Sequence, residues 1–188
     1  MKIVFTLITF LCLFHAVANM QPRYKKEIDK GVTCLKNEQL DSAEHFFQKA
    51  TLLSKNEDSL QRSEIYFLIG FFYDYNFQHN KALIYLDKAN SLASNIENGR
   101  VKMDIANQIG VANYNLRNYS EALKQYKYCL ELAFQHNDFV QTAYSYNNIG
   151  LIFLETKDYT KAIEYFNNVI ETTNDNYTLL AIVHNNMG

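Results

Sequence analysis

Three pairs of side-chain amides stand at matching places in this chain. Asn147-Asn148 and Asn185-Asn186 lie three and two residues before Gly150 and Gly188, and Asn107-Gln108 stands in the same place before Gly110. An amide side chain carries donors and an acceptor together, so a column of them can pair with the backbone of an extended peptide. Nothing comparable points to catalysis. No HExxH, GxSxG, P-loop or GxGxxG pattern occurs. The histidines, His15, His45, His79, His136 and His184, show no metal-ligand spacing. The expectation is a non-enzymatic protein that needs no metal or cofactor. Two sequons, Asn118-Tyr119-Ser120 and Asn176-Tyr177-Thr178, fit N-glycosylation, a pattern that an asparagine-rich chain also produces by chance.

The elements that must position these amides are read from the glycines. Gly31, Gly70, Gly110, Gly150 and Gly188 are spaced 39, 40, 40 and 38 residues apart. Twelve residues after each of the first four stands an alanine: Ala43, Ala82, Ala122 and Ala162. Four further on come Phe47, Leu86, Tyr126 and Phe166, and three beyond those Ala50, Ala89, Cys129 and Val169. Cys34, Tyr73, Asn113 and Phe153 stand three after their glycines. A fixed period of this length marks a stack of helical repeats. With 6 glycines and 1 proline in 188 residues, helix breakers are scarce, which favours an all-helical chain. In the third repeat the pattern predicts helices over Val101–Leu116 and Ser120–His136, with Asn118 and Glu121 as a cap and Asp158 capping at the matching place.

The glycine, aromatic and alanine columns resemble the tetratricopeptide repeat, in a variant with a period near forty. The resemblance implies an all-α, right-handed superhelical solenoid of antiparallel helix pairs. Its repeats fall near 24–57, 58–97, 98–137 and 138–175, with a partial fifth at 176–188. In that superfamily the face bearing Asn107, Asn147, Asn148, Asn185 and Asn186 lines a concave groove, and the asparagines resemble the ladder of some peptide-binding members. Asp74, Tyr75, Tyr114, Asn115 and Glu155 fall on the groove side about a turn further on. The ladder is interrupted in the second repeat, where Phe67-Leu68 stand. The lysine-and-asparagine clamp of chaperone-binding members is not evident, since Val32, Phe71, Val111 and Leu151 follow the glycines. The implied function is a scaffold for a protein or peptide partner.

The first twenty residues are different material. Ile3 to Phe14 is a nearly unbroken apolar run, followed by Ala16-Val17-Ala18. It is too short to span a bilayer, which takes about 20 residues, and reads as a cleaved secretory signal over 1–18, with the array in 19–188. A periplasmic or extracellular place is expected, with an uncleaved membrane anchor as the alternative. Residues 181–188 repeat the start of an earlier first helix and then stop, so the sequence reads as a fragment. The rival to a free-standing scaffold is the extracytoplasmic sensor region of a membrane-bound histidine kinase or transcriptional regulator. The net charge of −2, from 18 basic and 20 acidic residues, gives no reason to expect nucleic acid. Export would permit a disulfide, but the repeats hold Cys34 and Cys129 too far apart to bridge, and both read as small core residues.

Overall fold

The computed structural model describes residues 22–173. All regular structure among them is α-helix: α1 Pro22–Lys36, α2 Leu40–Leu53, α3 Ser59–Tyr75, α4 His79–Ala93, α5 Gly99–Asn115, α6 Tyr119–Gln135, α7 Phe139–Glu155 and α8 Tyr159–Thr173. None is long and apolar enough to cross a membrane. The chain divides into two compact units, one up to Gln108 and one from Ile109 onward. In the first, α1 packs on α2 and α3 on α4; in the second, α7 packs on both α6 and α8.

The periodic columns are steric. A Cβ on Gly70 would lie 2.7 Å from Leu86, and one on Gly150 2.7 Å from Phe166, too close for carbon atoms. Each glycine therefore makes room for the large residue sixteen positions on, in the second helix of its own pair. The alanines Ala43, Ala82, Ala122 and Ala162 are all 2 % exposed or less, as are Phe47, Leu86, Tyr126 and Phe166. Interiors packed this densely have no room for a larger side chain at the alanine sites.

The turns within the pairs share one geometry. Glu38, Phe77, Arg117 and Lys157 all have φ between 60° and 63°. At the end of α3 the Phe77 amide donates to the Asp74 carbonyl and the Gln78 amide to the Tyr73 carbonyl, both at 2.9 Å. The same pair of bonds closes α1, α5 and α7. This is the Schellman arrangement, which usually has glycine at its left-handed position. Here four ordinary side chains hold that position, at a cost of about 1–2 kcal/mol each.

Asp158 caps α8 as its place predicts, accepting from the Lys161 amide at 3.3 Å. Asn118 does not cap α6: its side chain makes no cap bond, and its amide donates instead to Asn113 Oδ1 at 3.4 Å. Asp58 and Asp138 cap α3 and α7, from the Gln61 and Gln141 amides. Both described cysteines are free thiols; Cys129 is buried, whereas Cys34 is half-exposed and not part of the core.

Candidate peptide-binding surfaces

In the first unit the residues expected on the groove side fall at the end of α3. Tyr75 is 60 % exposed and stacks on Phe71 one turn earlier, with ring centroids 6.3 Å apart and planes at 21°. This is the i, i+4 contact that a helix surface provides. Asp74 points the other way and is buried. Its Oδ1 lies 2.6 Å from His79 Nδ1, and its Oδ2 accepts from Gln108 Nε2 at 3.0 Å. A buried carboxylate is costly without such partners. Asp74 is thereby committed to holding the α3–α4 turn against α5, and Gln108 Oε1 is left buried with no hydrogen-bond partner. Asn107 is half-buried on α5.

The second unit brings two expected residues together. Tyr114, near the end of α5, donates from its Oη to Glu155 Oε1, near the end of α7, at 3.4 Å. Burial, and then the negative charge of Glu155, push the Tyr114 phenol up from its ordinary value. The phenol therefore stays a donor at any physiological pH. Asn115 and Glu155 are exposed. Tyr114 also meets Tyr119, with centroids 5.8 Å apart.

Asn147 and Asn148 are 1 % and 4 % exposed, with Asn147 Nδ2 donating to Asn148 Oδ1 at 3.5 Å. Their amides are enclosed where the ladder reading expects them displayed, and a peptide pairing with them would have to displace what covers them. They belong to a run of buried polar side chains on α7 that includes Gln141, Thr142 and Ser145. Asn185 and Asn186 lie outside the described residues.

A further cluster in the first unit escaped the sequence reading. Glu44 of α2 accepts from the Tyr73 hydroxyl at 2.6 Å, the Tyr85 hydroxyl at 2.5 Å and Gln48 Nε2 at 3.2 Å, with Lys81 Nζ 3.5 Å away. Burial works against the charged carboxylate, but the two phenols, Gln48 and Lys81 outweigh it and hold Glu44 below its ordinary value. Tyr73 was legible as one of the aromatic column; Glu44 has no periodic counterpart to reveal it. Among the described residues no group of three or more His, Cys, Asp or Glu is placed to hold a metal ion.

Comparison with known proteins gives a consistent picture. Family models described as tetratricopeptide repeat match residues 63–96 and 102–175. Response regulator aspartate phosphatase I of Bacillus subtilis (strain 168) is 28 % identical over 138 residues, which make up 72 % of this chain and 35 % of that protein. The chain thus spans about a third of the length of that curated relative. Among solved structures, aspartyl phosphate phosphatase F from Bacillus subtilis superposes with a TM-score of 0.74 at 19 % identity, covering 89 % of this chain and 43 % of that one. A Rap protein complexed with competence and sporulation factor gives 0.68 at 18 % identity, covering 94 % and 53 %. At those identities the structural likenesses show a shared fold.

Proposed function

The chain belongs to the tetratricopeptide repeat superfamily, and from that premise we propose that it is a scaffold binding a peptide or partner protein against the first-helix side chains of its repeats. The Tyr114–Glu155 pair carries the proposal. Two residues 41 apart, on the first helices of successive repeats, meet with their polar tips at one surface beside exposed Asn115. Together they offer a ligand the lone pairs of a phenol oxygen, a carboxylate acceptor and an amide that both donates and accepts. Tyr75 offers an exposed ring in the first unit. Asn107, and Asn185 and Asn186 beyond the described residues, would extend the same use of side-chain amides. A structure of this fold complexed with competence and sporulation factor is in keeping with the reading.

Binding, not catalysis, is the role assigned. The phosphatase activity in the name of the Bacillus subtilis relative is that of a protein of which this chain spans 35 %. The balanced charge supports a protein partner over nucleic acid.

The test is selection from a displayed library of extended peptides, followed by calorimetry on the winners. Asn115→Ala with Glu155→Ala should weaken binding several-fold to tenfold or more, at about 1 kcal/mol for each lost hydrogen bond, with helix content unchanged. A selection that returns no peptide, or a double variant of unaltered affinity, overturns the proposal. Asn147 and Asn148 are poorer test sites, because changing a buried amide reads stability and binding together.

A second reading adds location and context: an exported chain, processed after Ala18, forming the sensor region of a larger membrane-bound histidine kinase or regulator. The apolar run Ile3–Phe14 and the Ala16-Val17-Ala18 triplet support the export. An N-terminus at Asn19 in protein recovered outside the cytoplasm is the expected result. An intact Met1 in cytoplasmic protein overturns the export reading.

A further inference from the structure

Outside the residues proposed above, α1 and α2 enclose an open cleft of about 550 Å³ in the first unit. Its walls carry Lys25, Lys26 and Lys30 against one carboxylate, Asp29, and the half-buried Phe46 ring and the Cys34 thiol also line it. Lys30 is partly committed: its ammonium lies 3.2 Å from Glu27 Oε1 and 5.2 Å from the Phe46 ring centroid. Lys25 and Lys26 have no ionic partner among the described residues. We propose that this cleft is a second binding site, for an extended acidic segment of a partner protein.

Charge complementarity selects the sign of the ligand, and spacing selects its shape. Lys26 and Lys30 are four residues apart on a helix, a rise of about 6 Å. Alternate residues of an extended chain, which share one face, repeat every 6.6 Å or so. Acidic side chains at alternate positions therefore fall in step with the lysines. An apolar residue among them would meet the Phe46 ring on the α2 wall of the cleft. Lysine ammonium groups act as point charges and do not demand the planar, two-pronged acceptor that an arginine pair would favour. A membrane surface fits less well, because the apolar element is recessed and only half exposed. Docking on anionic lipid would use protruding apolar side chains.

Cys34 supplies a reporter inside the cleft. Cys129 is buried, and the two thiols are separated by digestion and mass spectrometry after alkylation. The probes are a fluorescein-labelled octapeptide alternating glutamate and serine around one phenylalanine, its lysine counterpart, and vesicles of mixed phosphatidylserine and phosphatidylcholine. The glutamate peptide should bind saturably at one to one, the lysine peptide should not bind, and bound peptide should slow alkylation of Cys34 several-fold. Lys25→Glu with Lys26→Glu should weaken that binding about tenfold and flatten its salt dependence, with the circular dichroism spectrum unchanged. No slowing of Cys34 alkylation in the unaltered protein, equal affinity in the double variant, or binding to vesicles but not to the peptide each overturns the assignment. Failure here leaves the Tyr114–Glu155 surface untouched, since the two tests share no residue.

Discussion

The same aromatic stack is built twice, once in each unit. In the first, Tyr73 of α3 stacks on Tyr85 of α4 with centroids 5.6 Å apart and planes at 21°, and the Lys81 ammonium lies 5.4 Å from the Tyr73 ring. In the second, two repeats on, Phe153 of α7 stacks on Tyr165 of α8 at 5.4 Å and 20°, and Lys161 lies 5.2 Å from the Phe153 ring. Among the described residues only the first stack is tied down by a carboxylate, Glu44, which takes both phenol hydroxyls. In the second, Phe153 has no hydroxyl to give, and Leu123 occupies the repeat position that Glu44 holds. The third repeat keeps neither ring: Asn113 bonds the Ile109 carbonyl, and Gln125 bonds Glu121 at 2.7 Å. The repeat thus conserves a slot between its two helices and lets the chemistry filling it vary. The phenol–carboxylate clamp is one local solution, stronger in direction than a stack of rings and less tolerant of partial loss.

That contrast predicts its largest effect at Glu44. Glu44→Leu, which imports the residue at the matching place in the third repeat, leaves the hydroxyls of Tyr73 and Tyr85 without their acceptor in a mostly buried setting. It should destabilise the first unit by about 2–3 kcal/mol. Adding Tyr73→Phe and Tyr85→Phe removes the stranded hydroxyls and should recover most of the loss, to within about 1 kcal/mol of the parent, because exchanging every partner of a polar cluster for apolar groups is nearly neutral. Urea unfolding of the single and triple variants checks this. A triple variant no better than the single one would mean that the clamp is not what distinguishes the two stacks.

The columns that the units share should respond alike. Ala82→Leu in the first and Ala162→Leu in the second both force a branched side chain into fully packed helix crossings, and each should cost about 1–3 kcal/mol. Loss at one site alone would show that the repeats are not sterically equivalent. A smaller effect of opposite sign is expected at the turns. Phe77→Gly relieves a bulky residue at φ 62°, and thermal melting should show a gain of about 1 kcal/mol. Lys157→Gly, at φ 63° in the second unit, should gain a similar amount. Unchanged melting in both would mean that their neighbours already absorb the left-handed backbone.

What could be read from the sequence follows from what has to recur. The glycines, alanines and large residues repeat because each pair of helices must cross at the same distance, and sterics leave few side chains that fit. The left-handed turn residues recur equally strictly, yet Glu38, Phe77, Arg117 and Lys157 share no chemistry. Two backbone hydrogen bonds set their conformation, and no side-chain pattern reports it. Asp158 was legible as a cap because its side chain does the capping; Asn118 sits at the corresponding turn but spends its amide on Asn113. Spacing places Asn147 and Asn148 on one helix but cannot tell that both are enclosed. Tyr114 and Glu155 could be assigned to one face, whereas their meeting depends on how α5 and α7 pack. Glu44 is a single event in a repeating chain, and periodicity is blind to single events. The column of Cys34 marks it as core, although its side chain lines the cleft of α1 and α2.

The finest separation between the two stacks is expected in acid. Glu44 is held below its ordinary value of 4.5 in the folded chain. A carboxyl lowered by folding contributes stability that is fully present above its unfolded value and is lost as pH falls through its folded value. The first unit should therefore weaken on acidification from about pH 5 downward, as Glu44 takes up a proton and can accept from only part of its cluster. Asp158 in the second unit is also lowered, chiefly by the side-chain and backbone bonds from Lys161. That pair is exposed and screened, so moderate salt should erase most of its effect. Native-state hydrogen exchange resolves the units separately. In 0.3 M salt, lowering pH from 6 to 3.5 should reduce the protection of α3 and α4 amides more than that of α7 and α8, after correction for the intrinsic pH dependence of exchange. Glu44→Gln should remove most of that difference, because an amide keeps a carbonyl acceptor for one phenol and does not titrate in this range. Equal loss in both units of the unaltered protein would show that the acid response does not come from the clamp.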